Sequence, residues 1–117
     1  MNRSHSGREG EKRAAETLEK AGMVIIARNV RSRRGEVDLV ALDGETIVFI
    51  EVKTWSAYDF DELAYGINEK KQRRIIETAK YFLSSHREYN DMTVRFDVVF
   101  IGPTLTTHLA SAFTERV

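Results

Sequence analysis

The stretch VFIEVKT, residues 48–54, decides the reading of this chain. Its valines, phenylalanine and isoleucine mark a buried strand. Glu51 and Lys53 nevertheless sit two residues apart in it, and so share one face. Just upstream runs a second β-rich segment, EVDLVAL, at residues 36–42, and Asp43-Gly44 lies between the two. Asp-Gly flanked by such runs is the strongest short hairpin signal. A two-residue Asp43-Gly44 loop pairs Leu42 with Glu45, Asp38 with Phe49 and Glu36 with Glu51. That register puts Glu36, Asp38, Glu51 and Lys53 on one face, with Asp38 and Glu51 diagonal neighbours roughly 7 Å apart at the backbone. A three-residue loop would send Asp38 to the opposite face from Glu51.

Outward from the hairpin, the N-terminal SGRE has a capping-box pattern, with Ser6 as N-cap and Glu9 three residues on. Residues 1–5 are expected to fray. A helix should run to about Ala21 and stop at Gly22 in the left-handed conformation. MVIIARNV predicts a first strand near 23–28, and RNVRSRRG reads as a polar, basic connection. WSAYDFDELAYG, residues 55–66, has no clean period and reads as a loop. A second long helix is expected from about Ile67 to His86, then a strand in TVRFDVVFIG ended by Gly102-Pro103. TLTTHLASAF is read as a last short strand in preference to a helical turn. The order αβββαβ with a tail makes an α/β (α+β) class with a mixed sheet flanked by helices.

The totals bound the chemistry. At 117 residues one domain is expected, and the net charge is +0. The total charge therefore does not point to nucleic acid, and any such signal must be local. With no cysteine there is neither a disulfide framework nor a thiolate metal site. No apolar run reaches membrane-spanning length and the N-terminus lacks a signal-peptide core, so a cytoplasmic protein off the membrane is expected. No G-x-S-x-G, P-loop or dinucleotide fingerprint appears.

Three acids on one face need a raised pKa, a basic partner or a bound cation. Lys53 is one charge against three. Hard oxygen ligands suit Mg²⁺, Mn²⁺ or Ca²⁺, and three scattered histidines do not make a zinc site. The competing reading leaves Glu36 in solvent and makes Glu51–Lys53 a surface ladder. Two helical residues favour a site. Glu11 heads a stripe continuing through Ala15, Leu18 and Gly22, and Lys71 lies in the stripe Ile67, Ile75, Thr78 and Phe82. Snorkelling at the core's edge would explain either one alone.

The motifs GREGEKRAAETLEKAG, ARNVRSRRGEVDLVALDGETIVFIEVKT, INEKKQRRIIETAKYF and RFDVVFI resemble the YraN-like (UPF0102) family of the PD-(D/E)XK, restriction-endonuclease-like superfamily. The order of acid, hairpin acid and E-x-K is also similar to archaeal Holliday junction resolvases. The resemblance spans Gly7 to about Phe113. It implies a restriction-endonuclease-like core and a Mg²⁺- or Mn²⁺-dependent endonuclease acting on DNA. It also implies Asp38, Glu51 and the Val52 carbonyl as metal ligands, Lys53 as the superfamily lysine, and Glu11 as the acid contributed by the first helix. The family's helix lysine falls on Lys71. Val37 stands where the superfamily name has proline. Asp97 belongs to the family pattern, and is read as a structural acid bonded to backbone or an arginine.

Two basic runs are the local substrate signal: Arg28, Arg31, Arg33 and Arg34, then Lys70, Lys71, Arg73 and Arg74. A solvated helix face would account for the second equally. Trp55, Tyr58 and Phe60 are candidates to stack on unpaired bases, with packing into a homodimer or a lid as the preferred alternative. Without a base-reading motif, selectivity for branched or junction structures is expected over sequence specificity. The alternatives to a nuclease are a catalytically silent nucleic-acid-binding module and a protein-interaction domain.

Overall fold

The computed structural model describes residues 2–54 and 67–115, with side chains from residue 8 onward. Helix α1 covers Asn2–Lys20, followed by strands β1 (Val24–Arg31), β2 (Glu36–Asp43) and β3 (Thr46–Thr54). Helix α2 covers Glu69–Ser85, and a short 3-10 turn, Arg87–Tyr89, leads to β4 (Thr93–Ile101) and β5 (Thr106–Phe113). The strands lie in the order β1-β2-β3-β4-β5. All neighbours are antiparallel except β3 and β4. That parallel step needs a long crossover, and α2 lies within it. The expected mixed α+β fold is what the chain adopts, including the final strand.

Helices cover both faces, which explains why β3 is apolar almost throughout. Ile47 and Phe49 enter a cluster with Val40, Ile75, Ala79, Phe82, Phe96 and Val98. Val48 and Ile50 enter another with Ala14, Ala15, Leu18, Leu39 and Val99. The α2-side cluster turns on Phe49, whose ring lies 5.9 Å from those of Phe82 and Phe96.

The helix ends follow local chemistry. Gly22 has φ +96°. The Met23 amide donates to Leu18 O and the Gly22 amide to Glu19 O, the paired bonds of a Schellman stop. At the other end, α1 begins at Asn2, so Ser6 is an interior residue rather than the N-cap and residues 2–5 are helical. Extending a formed helix through polar residues costs little once it is nucleated. Helix α2 is capped by Asn68, whose Oδ1 accepts the Lys71 amide at 2.9 Å. It buries Ile75, Ile76, Thr78, Ala79 and Phe82.

Two boundaries differ from expectation. Strand β1 runs on to Arg31, because Arg28, Val30 and Arg31 find β2 partners in Leu39, Val37 and Glu36. Only Ser32–Gly35 remains as the turn, closed by the Ser32 amide on Gly35 O at 2.8 Å. In the hairpin, Asp43 pairs with Thr46 and Leu42 with Ile47, so the turn residues are Gly44-Glu45. Gly44 takes a positive φ of 61° at the first turn position, the demand of a II′-type hairpin turn. Asp43 stays in the strand, where it pairs with Arg95 at 2.9 Å. The register is displaced by two residues from the expected one, which preserves every face.

Candidate functional site

Strands β1 and β2 roll about their common axis at one point, and the acidic site forms there. Ala27 and Val40, a cross-strand pair, pack on the α2 side. Three residues further along β1 and three back along β2, Val30 and Val37 pair and pack on that same side. Strict alternation would have sent them to the α1 side. Between the two pairs stand Asn29 and Asp38. Asn29 is one of two non-glycine residues with positive φ among those described, at 53°. The β2–β3 pairing ends in step at Leu39–Ile50. Two residues further along β3, the Val52 amide donates to Asp38 Oδ2 at 2.7 Å. The roll thus puts Asp38 at the border between the two sheet faces.

From that border Asp38 feels acids from both faces. Continued past Leu39–Ile50, the β2–β3 register sets Asp38 across from Glu51, and Glu11 on α1 adds further repulsion. Burial, first, and then the Glu51 charge raise the Asp38 pKa from 3.8 to about 8, opposed by the Val52 amide. Glu51 is buried on the α2 side, 6% exposed, opposite Val98 in the parallel ladder. Its charge is met by Lys71 of α2, with Nζ 2.6 Å from Oε2. The site therefore shows two of the three remedies expected for its acids, a raised pKa at Asp38 and a lysine on Glu51. The lysine seen on Glu51 comes from the helix. Lys53 lies half-buried two residues along β3, opposite Phe100 in the ladder.

Glu36 does not join the site. It is exposed and lies across from Arg31, with Nε 3.9 Å from Oε1. The expected Glu36–Glu51 pairing fails because of the two-residue register displacement, which carries Asp38 to the place across from Glu51. Glu11 is brought near through Asn29. With its amide oriented by its hydrogen-bond partners, Asn29 Nδ2 donates to both Glu11 oxygens, at 3.0 and 3.3 Å. The preceding Gly10 allows α1 to approach closely, since a Cβ there would lie 3.1 Å from Thr54 Oγ1. Asn29 was not a candidate from sequence. It fell in the stretch read as a polar connection, and an asparagine there acquires meaning only with the backbone conformation.

The two basic runs meet. Ser32 Oγ lies 2.8 Å from Thr78 Oγ1, and Thr78 Oγ1 donates to Arg74 O at 2.9 Å. A Cβ at Gly35 would fall 2.9 Å from Arg74 Cβ, so only glycine lets the turn sit this close to α2. Arg33 and Arg34 in the turn thereby lie beside the α2 run, and Arg28, Arg31, Lys70, Lys71, Arg73 and Arg74 are all exposed. The loose Arg31–Glu36 and Arg73–Glu69 contacts are surface pairs worth little. Trp55, Tyr58 and Phe60 lie outside the described residues.

A second polar cluster surrounds Asp97, which is fully buried. Arg95 donates to both of its oxygens at 2.9 Å, His108 Nε2 lies 2.7 Å from Oδ2, and the Ser111 amide donates to Oδ1 at 3.0 Å. Burial opposes ionisation, but Arg95, Ser111 and His108 outweigh it and hold the Asp97 pKa below its usual value. Ser111, with φ 54°, sits where β5 slips register against β4. Asp97 is thus bonded to arginine and backbone, as read from sequence.

Among the described residues no three His, Cys, Asp or Glu side chains form a metal-binding group. The Asp38–Glu51 pair is a smaller donor set, with the Val52 amide bonded to Asp38. Its chemistry fits a hard divalent cation, which accepts few protein oxygens and keeps waters. Burial, and then the neighbouring Glu51 charge, disfavours ionised Asp38, and a bound cation would favour it. Among the described residues, no helix is long and apolar enough to cross a membrane.

Comparison with known proteins places the chain. The family model described as "Uncharacterised protein family UPF0102" matches residues 10–101, from the α1 glycine to the end of β4. A "UPF0102 protein" of Treponema denticola is 43% identical over 123 aligned positions, covering 93% of this chain and 95% of its own. One from Treponema pallidum (strain Nichols) is 49% identical over 92, covering 79% and 73%. One from Alcanivorax borkumensis is 40% identical over 101, covering 86% and 81%. With Glu11, Asp38, Glu51, Lys53 and Lys71 all inside the matched span, this chain belongs to the UPF0102 family.

Proposed function

We propose that the protein is a divalent-metal-dependent endonuclease that hydrolyses DNA phosphodiester bonds and selects branched or junction structures. The observation that carries this reading is that Asp38, bonded to the Val52 amide, and Glu51, paired with Lys71, stand across from each other beside an exposed basic surface built from two separate runs. A structural acid pair has no need of that surface. A phosphodiester substrate needs both.

In this reading Asp38, Glu51 and the Val52 carbonyl hold Mg²⁺ or Mn²⁺. The bound ion supplies polarisation of the scissile phosphate and a water acidic enough to attack near neutral pH. Lys53, one pleat beyond Glu51, orients that water or stabilises charge on the phosphoryl oxygens. Glu11, held by Asn29, adds negative charge on the α1 side and positions what Asp38 holds. Lys71 neutralises Glu51 in the resting site and contacts a phosphate when substrate is bound. Arg28, Arg31, Arg33, Arg34, Lys70 and Arg74 track the phosphate backbone. These are sequence-independent contacts, and they suit recognition of shape over bases.

One observation favours a second reading, a silent nucleic-acid-binding module. The Lys71–Glu51 pair at 2.6 Å already satisfies the buried acid of the pair without any metal ion. A cleavage panel separates the two. Single-stranded, duplex, flap and four-way-junction DNA and an RNA duplex are incubated with Mg²⁺ or Mn²⁺, beside Lys53→Ala. Cleavage that requires metal and is lost with Lys53→Ala supports the nuclease. Salt-sensitive binding without cleavage supports the silent module.

A further inference from the structure

We infer that Asn29 is a positioning residue of the acidic site: its left-handed backbone turns β1 at Asp38 while its amide holds the Glu11 carboxylate beside the Asp38–Glu51 pair. This rests on the reading of that pair as the reactive centre. Three observations meet at this residue. Its φ of 53° is a conformation that side chains other than glycine rarely take, although asparagine tolerates it best. No turn requires it, since Arg28 and Val30 on either side both keep their β2 partners. The residue standing across from it, between those partners Leu39 and Val37, is Asp38.

Its side chain explains the conformation. Nδ2 lies 3.0 and 3.3 Å from the two Glu11 oxygens. A fork of one amide on two carboxylate oxygens fixes the carboxylate in place, and bonds to ionised acceptors are the stronger kind. Glu11 held in this way adds repulsion at Asp38. Strained residues of this type persist where the surroundings over-determine them, and cluster at functional sites. Partners that orient a ligand set typically change metal affinity or activity about 10- to 100-fold when removed.

The test is a double-mutant cycle on wild type, Asn29→Gly, Glu11→Gln and the double variant. Glycine accepts the left-handed backbone, so Asn29→Gly removes the amide and leaves the fold's turn intact. Mn²⁺ affinity by calorimetry should fall about tenfold in each single variant, with no further fall in the double. Losses that multiply, or an Asn29→Gly protein that binds Mn²⁺ as wild type does, would overturn the proposal. A wild type that takes up no Mn²⁺ would instead count against the nuclease reading. The denaturation midpoints of the same four proteins in EDTA then decide the Asn29–Glu11 tether. The effect of Asn29→Gly should vanish in the Glu11→Gln background, and an equal effect in both backgrounds would refute it.

Discussion

Asp97→Asn should destabilise the protein by about 3–5 kcal/mol, the usual cost of removing one partner from a buried, hydrogen-bonded ion pair. The substitution changes the shape of the side chain hardly at all. It deletes the charge on a group with no exposure that receives four donors: two from Arg95 and one each from His108 and the Ser111 amide. An asparagine keeps one acceptor oxygen and turns an NH₂ toward donors. Arg95, with a side chain only 22% exposed, would be left with Asp43 as the carboxylate it pairs with. For a domain of this size the loss corresponds to roughly 4 °C of melting temperature per kcal/mol, hence about 12–20 °C. The sign of the pH dependence also follows. Asp97 has a lowered folded-state pKa, so its contribution is present above the ordinary carboxylate range and lost as pH falls through the folded value. Urea denaturation of both proteins should show the full gap at pH 7 and a narrowing gap toward pH 3. A loss under about 1 kcal/mol, or a gap that does not change with pH, would refute the structural role of Asp97.

The Asp38 pKa is shifted the other way, so its ionisation destabilises the metal-free protein as pH rises from about 4 to about 8. In EDTA, Asp38→Asn should therefore gain stability relative to wild type between pH 5 and pH 8, measured by denaturant midpoints. Gly35→Ala places a methyl 2.9 Å from Arg74 Cβ. It should cost about 1–3 kcal/mol and weaken DNA binding in a fluorescence anisotropy titration by separating the two basic runs. Phe49→Ala empties the centre of the α2-side cluster and should cost about 3–5 kcal/mol by thermal or chemical unfolding.

The apolar run at 47–50 was enough to read β3 as a buried strand, because only a strand covered on both faces is apolar at successive positions. The Asp-Gly pair located the hairpin, and side-chain parity survived a register displaced by two residues. Asp38 and Glu51 were therefore legible as neighbours although their predicted pairing was wrong. Glu36 was misplaced for the same reason. The roll between Ala27–Val40 and Val30–Val37 was not legible, since it depends on a left-handed asparagine that no periodicity announces. Lys71 was visible as a lysine in an apolar stripe, but its contact with Glu51 depends on how α2 crosses the sheet. The Asp97 cluster gathers donors from β4 and from both sides of a register slip in β5. Its acid was readable in RFDVV, while its histidine and serine partners were not.

Whether Asp38 and Glu51 form a metal centre is read most directly from the anomalous scattering of Mn²⁺ in crystals of this protein. One peak is expected, shared by Asp38, Glu51 and the Val52 carbonyl, with the Lys71 ammonium moved off Glu51. A site without a peak at saturating Mn²⁺, with Lys71 still 2.6 Å from Glu51, would contradict it.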